Sequence, residues 1–304
     1  MKSAVREKID VFGLGQCSLD FLVRIPDYPP ADTKCEFSEM AIQGGGPVAT
    51  ALVALSRWGL SCAFSGVVGD DEWGKRIKDS LDSEGIDTHG LLIRSNSASQ
   101  FAFILAEPET GRRTIFWRRP SGPPPSPSEI PCHLLKKAAT FHTDGLFMEA
   151  ALAAARAARE SGVTVSVDAG TLREGMLDLA RLSDCFIASE TFSRSLVGGD
   201  DPEGACRKLA ELGPRIVGVT LGAEGWVGFA EGRLIRKAAC AVEALDTTGC
   251  GDVFHAGFIF GLHRKWAYEK CFDFAAWSAA QVSRRLGGRS GIPTGEEMKE
   301  RRFI

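Results

Sequence analysis

From Val163 onward the chain alternates short apolar, strand-like runs with amphipathic helical runs, and few folds accept that pattern. Val163 to Val167 is followed by a helix near Glu174 to Ala180, and Cys185 to Ala188 by a helix near Glu190 to Leu196. A helix over Pro202 to Leu212 precedes a strand over Ile216 to Leu221. A crossover helix returns each strand in the same direction and covers one sheet face, so the pattern predicts a parallel sheet with helices on both sides. Trp226 to Ala230 and Leu234 to Lys237 read as a hairpin, and helices over Val253 to Leu262 and Ala267 to Arg285 follow. Nearer the N-terminus, Ile9 to Gly15 and Cys62 to Val68 read as strands, and Pro47 to Trp58, Asp71 to Ser83 and Glu149 to Ser161 as helices. At 304 residues, 44% apolar and 25% charged, the chain reads as one large α/β domain over residues 1–304.

Some β-like pieces fall outside the alternation. They are Asp20 to Ile25, Cys35 to Ile42, Leu91 to Arg94, Gln100 to Ala106 and Thr114 to Arg118. The proline-rich stretch Pro120 to Pro131 reads as a loop. A net charge of −3 gives no global pull toward nucleic acid or an anionic membrane, so any anion site is local. No apolar run approaches the roughly 18 residues of a membrane span. The polar start Met1 to Lys8 and the short run Val11 to Leu14 lack a signal-peptide core, which predicts a cytoplasmic protein. Nine scattered cysteines with no C-x-x-C pair signal neither zinc nor a disulfide framework.

The densest chemistry lies at Asp246-Thr247-Thr248-Gly249-Cys250-Gly251-Asp252, which runs into the apolar helix. A helix start leaves backbone N–H groups free at a positive dipole end, and glycines let an anion approach them. An aspartate beside an anion site suggests a base that takes a hydroxyl proton while Gly249, Cys250 and Gly251 hold a transferring phosphoryl group. The same residues also fit an ordinary glycine-rich N-cap turn. No G-x-x-x-x-G-K-[ST] and no H-R-D loop is present, so neither a P-loop enzyme nor a protein kinase is indicated. A thiol at Cys250, at a helix N-terminus, is a candidate for a lowered pKa. Gly13 and Gly15 fail as a dinucleotide fingerprint, because the third glycine is missing and Phe21 to Val23 reads as strand. That opposes a nicotinamide-dependent oxidoreductase.

This signature resembles the C-terminal motif of the ribokinase-like sugar kinases, the PfkB family, with Cys250 where alanine is usual and His255 where asparagine is common. The resemblance runs from about residue 9 to residue 293. It implies a ribokinase-like fold, a small β-sheet lid built from segments at about 20–42 and 91–118, and a homodimer formed through that lid. It implies ATP-dependent phosphorylation of a ketose, sulfo-sugar or pentose, with a nucleoside kinase or a non-catalytic binding module as alternatives. Asp252 would be the base. Ser18, Asp20, Gly44, Gly45, Gly46 and Thr50 would face the sugar, although Ala49 stands where ribokinases place asparagine. Thr220, Gly222 and Gly225, with Gly249 and Gly251, would line ATP; alone, Val219 to Gly225 also reads as a tight turn. Glu190 would serve Mg²⁺, although Ser189 replaces the usual asparagine. Asp246, Thr248 and Ser290 would form a K⁺ loop, or Asp246 would merely cap a turn. Arg112, Arg113, Arg118, Arg119 and Lys34 surround the lid and could meet a phosphate or sulfonate, or simply be solvated. The Gly44 to Thr50 and Gly287 to Pro293 segments look most like the sulfofructose kinase branch, with ketohexokinase another near look-alike. Asp144 and Asp168 lie at predicted strand ends, where α/β proteins gather ligand contacts.

Overall fold

β-branched and aromatic residues fill the short runs between helices, and they pair into two sheets. The computed structural model describes residues 8–304 except 108, 110 and 111. In chain order the strands are β1 (Ile9–Leu14), β2 (Ser18–Arg24), β3 (Glu39–Gly45), β4 (Cys62–Gly69), β5 (Asp87–Arg94), β6 (Phe101–Glu107), β7 (Arg112–Arg118), β8 (Ala138–Thr143), β9 (Thr164–Ala169), β10 (Cys185–Ser189), β11 (Ile216–Thr220), β12 (Trp226–Ala230) and β13 (Arg233–Lys237). The longer helices are α1 (Pro47–Arg57), α2 (Glu72–Ser83), α4 (Met148–Glu160), α6 (Glu190–Val197), α7 (Pro202–Ala210), α8 (Cys250–His263) and α9 (Tyr268–Val282). Short helices are α3 (Cys132–Leu135), α5 (Met176–Arg181) and α10 (Gly295–Glu300).

The large sheet has nine strands in the order β13-β12-β11-β10-β9-β8-β1-β4-β5. Seven run parallel, and the β12–β13 hairpin is antiparallel at one edge. One face is covered by α4, α5, α6 and α7, whose Ala154, Ala155, Leu179, Phe192 and Leu209 pack on Phe141, Val165 and Val217. The other carries α1, α8 and α9, with Leu52, Ile259 and Phe274 against Val11 and Phe64. Helix α8 is buried at every residue from Val253 to Gly261, because it lies between sheet and helices. Gly257 and Gly261 make that possible: a Cβ at either would press into Ala275 or Cys271 of α9.

The small sheet has the order β3-β2-β6-β7. Its Leu22, Ala102, Ile104 and Ala106 pack on Leu286, with Leu245 alongside, so it sits against the loop that feeds α8. Two expectations change here. Leu91 to Arg94 belongs to β5, paired with β4 in the large sheet, rather than to the small one. The third strand runs from Glu39 to Gly45, later than Cys35 to Ile42, because the pairing of Ser18 with Gly45 carries the glycines into the strand. Strand β8 lies between β1 and β9 near the middle of the sheet, and only its end at Asp144 was anticipated. Its sequence, Ala-Ala-Thr-Phe-His-Thr, opens on two alanines without β preference, and from Thr140 to Thr143 it is buried on both faces. Among the described residues, no helix is long and apolar enough to cross a membrane.

Candidate active site

Parallel strands end at one edge, so β1, β8, β9, β10 and β11 deliver Gly15, Asp144, Asp168, Ser189 and Thr220 to the same rim. The start of α8 comes down onto that rim. Gly249 is its N-cap, with φ of 75°, and a Cβ there would strike the backbone of Gly288. Both facts demand glycine. Gly251 differs. It is exposed in the first turn, and nothing lies within 4 Å of where its Cβ would be. The protein's own packing does not require glycine there, which fits a backbone kept open to a ligand.

Asp246 holds this turn in place. Its carboxylate is fully buried and accepts from the Thr248 N–H at 2.9 Å, the Thr248 hydroxyl at 2.7 Å and the Gly287 N–H at 2.8 Å. The signature loop and the Gly287–Gly288 loop are thereby clamped together. Ser290, on the same loop, is exposed and lines a separate pocket with Arg57 and Ser80.

Asp252 follows in the first turn of α8, half-buried. Burial raises its carboxyl pKa well above the usual range, and the like charge of Asp168 adds to the rise. Arg113 on β7 opposes it, and its guanidinium donates to the Thr247 hydroxyl, so the small sheet reaches the turn at the start of α8 directly. One helical turn after Asp252, His255 Nε2 lies 3.1 Å from Asp168 Oδ1. His142 of β8 stands beside His255 with ring centroids 5.7 Å apart, and burial followed by the His255 charge pushes its pKa down to about 4. Burial alone would raise Asp168, but the charge and hydrogen bond of His255 bring it below the ordinary range.

On the small-sheet side, Asp20 is buried and accepts the Ser18 hydroxyl at 2.7 Å. Burial raises its pKa, against the Ser18 bond and Arg289. Gly45 lies so close to this carboxylate that a Cβ would overlap it. Gly46 is the α1 N-cap at φ of 96° against the Gln16 carbonyl. Thr50 is buried on α1, only 2% exposed. Asp144 accepts the Gln16 and Leu146 N–H groups, each at 2.9 Å, and ties the β1 loop to β8; burial pushes it up to about 6.

At the other end of the rim, Thr220 ends β11 and Gly222–Glu224 forms a single 3₁₀ turn. Gly225 has φ of 102° and abuts the Lys237 carbonyl. Ser189 is the N-cap of α6, accepting the Phe192 N–H and donating to the Gly170 carbonyl. Glu190 pairs with Arg194 at 2.7 Å. Cys250 does not have a lowered pKa: burial pushes its thiol up to about 12, with Arg113 opposing too weakly to offset it. The helix N-terminus loses to desolvation there.

Sequence reasoning did not anticipate the Asp168–His255–His142 cluster or Arg173. Arg173 Nη2 donates to the Asp144 carbonyl at 3.2 Å, its Nε is buried without a partner, and its pKa is lowered by burial. His255 stood out only as a departure from the common asparagine.

Comparison with known proteins fits this geometry. The model of the pfkB family carbohydrate kinases matches residues 7–295, and the chain belongs to that family. It is a kinase of the sugar and nucleoside kinase class, a phosphotransferase with an alcohol acceptor. It is 31% identical over 282 residues to the Arabidopsis thaliana protein named "Probable fructokinase-6, chloroplastic", covering 84% of this chain and 73% of that one. It is 25% identical over 303 residues to the nucleoside kinase of Methanothermobacter thermautotrophicus, covering 96% of each. The structure of Arabidopsis thaliana ribokinase complexed with ribose and ATP shares the fold at a TM-score of 0.81 and 22% identity, covering 96% of this chain and 98% of that one. The fold is ribokinase-like.

The two glycines of the turn should separate by measurement. Gly249→Ala is expected to cost more than about 1 kcal/mol in chemical denaturation, from the strained φ and the Gly288 contact. Gly251→Ala should leave stability within about 1 kcal/mol of wild type.

Proposed function

We propose that this chain is an ATP-dependent sugar kinase in which Asp252 is the general base. The observation that carries the reading is the open first turn of α8, with Gly251 facing empty space and Asp252 set against Asp168 and Arg113 at the strand-end rim. A sugar hydroxyl would give its proton to Asp252 as its oxygen attacks the γ-phosphorus, and the bond to the ADP oxygen would break. The N–H groups of Gly249, Cys250 and Gly251 would hold the charge on the phosphoryl oxygens. Asp20, backed by Ser18 and approached closely through Gly45 and Gly46, would accept sugar hydroxyls; Gly44 faces Arg289 and Ser80 on the other side of the strand. Thr220, Gly222 and Gly225 would line the nucleotide.

Among the described residues no group of three His, Cys, Asp or Glu could hold a metal, and Glu190 is paired with Arg194. That donor set fits Mg²⁺ carried on the nucleotide phosphates with its own waters, not one held in a protein cage. Mg²⁺ bound there supplies charge neutralisation of the phosphates. The Asp246–Thr248 turn beside Gly287 is the candidate place for K⁺. Nine scattered cysteines with no C-x-x-C pair fit a reducing compartment such as the cytoplasm.

The small sheet serves as the lid of a single domain over residues 1–304. A nucleoside acceptor is the second reading, and Trp117 favours it. Trp117 pairs with Ala102, so it shares the inward face of the lid, yet it is 50% exposed and Arg119 lies 4.7 Å from its ring. An open indole there could stack on a base. Arg113, Arg119 and Arg173 also favour a substrate with a phosphate or sulfonate. A phosphorylation screen of fructose, ribose, nucleosides, sulfofructose and phosphosugars decides among these.

Asp252→Asn is expected to lower sugar-dependent ATP turnover at least about 100-fold, the usual worth of a positioned base. An active variant would overturn the assignment. The raised carboxyl pKa predicts that kcat/KM falls as pH drops through a value above the ordinary aspartate range. Asp168→Asn removes a like charge and should move that acid limb to lower pH. The outer face of the lid exposes Met40, Ile42, Phe103 and Phe116, with pairing that puts Phe103 opposite Phe116. We read it as the face that meets a second copy. Phe103→Glu with Phe116→Lys should convert a dimer to a monomer in analytical ultracentrifugation.

A further inference from the structure

Successive residues of a strand face opposite sides, and β3 uses this at its two glycines. Gly45 faces the Asp20 carboxylate, whereas Gly44 faces the guanidinium of Arg289 and the hydroxyl of Ser80. Arg289 therefore lies on the far side of β3 from the sugar cleft. There a pocket of about 450 Å³ opens between the ends of α1 and α2 and the 287–290 loop, lined by Gln43, Arg57, Ser80, Glu84, Arg289 and Ser290.

Among the described residues, Arg289 makes no contact ion pair in this pocket; Asp20, on the other side of β3, and Glu84 act on it only through space. Arg57 is neutralised by Glu84 through two bonds of 3.0 and 2.6 Å, and its remaining nitrogen donates to the Arg289 carbonyl at 2.7 Å. Arg289 has no such partner. It is 5% exposed, its Nη1 donates to the Ser80 hydroxyl at 3.0 Å, and its Nε is buried without any acceptor. Among the described residues no carboxylate lies within ion-pair distance of it. Burial lowers its pKa to about 10, which still leaves it charged at neutral pH. Its backbone is pinned by the Gln43 side chain, which accepts the Arg289 N–H at 3.0 Å, so the guanidinium is held in place. A buried charge is normally paired or bound to a ligand. A guanidinium fork with two hydroxyls at an open pocket matches the oxygens of a phosphate, and the volume exceeds a bare ion.

We propose that the pocket bounded by Arg289, Ser80, Gln43 and Ser290 is a second ligand site that takes a sugar-sized phosphate ester, separate from the sugar cleft. The test is calorimetric titration of the full chain with inorganic phosphate, ribose 5-phosphate and fructose 6-phosphate, with fructose as the uncharged control. Each titration is run alone and with the cleft filled by fructose and a non-hydrolysable ATP analogue. Saturable binding of a phosphate ester is expected to persist with the cleft filled. Ser80→Glu, which sets a carboxylate beside Arg289, should weaken that binding at least tenfold while sugar kinase activity stays at the wild-type level. Ser80→Asp, a shorter carboxylate at the same position, is the second variant if Ser80→Glu does not fold. The proposal is overturned if no ester binds, if filling the cleft abolishes binding, if fructose alone binds the pocket equally well, or if binding survives both substitutions.

Discussion

The buried carboxylate of Asp246 is the point on which the site depends. It takes two hydrogen bonds from Thr248 and one from Gly287. Those bonds press Gly249 onto Gly288, and that contact sets where α8 begins. The direction of the helix then decides where its free N–H groups point and which side chain of the first turn reaches the rim. Neutralising or moving Asp246 would release two loops at once, since an unpaired buried acceptor and donor are both costly. The α8–α9 packing through Gly257 and Gly261 keeps the helix from shifting along its axis.

Around that start the rim gathers acids and cations together. Asp168, Asp20 and Asp144 each raise Asp252, Asp168 also raises Asp144, and Arg113, Arg173, Arg289 and His255 answer from different elements. The cations are not interchangeable. His255 sits directly on Asp168, Arg113 arrives on the small sheet, and Arg289 works from behind β3. Because the small sheet carries Arg113, taking that sheet away from the turn would leave the Asp252 carboxyl facing Asp168, Asp20 and Asp144 without its balancing charge. Electrostatic preorganisation of this kind acts strongly where water is excluded.

Much of the fold was legible because burial patterns repeat at element length. The hairpin Trp226 to Ala230, the helix after Pro47 and the alternation beyond Val163 all stand close to where periodicity puts them. Strand β8 was not legible in its body, since Ala138 and Ala139 carry no β signal and its pairing with β1 comes from more than a hundred residues away. The misassignment of Leu91 to Arg94 has the same origin: a strand's own residues do not say which sheet will take it. Within the site, Gly249, Gly251 and Asp252 were readable as a local motif. The Asp168–His255 pair, Arg173 and the unpaired Arg289 were not, because each depends on partners brought in by other strands.

By itself the sequence determined the class of fold, the helix start with its glycines and aspartate, and membership in a kinase family. These are local or periodic features, set by backbone freedom and by which side chains avoid water. Only the tertiary structure decided what each charge faces. It raised the Cys250 thiol instead of lowering it, gave Asp252 an acidic neighbour and a distant arginine, and put Gly44 and Gly45 on opposite sides of one strand. Desolvation and Coulomb interactions depend on distances through space, and those distances exist only once the chain has folded.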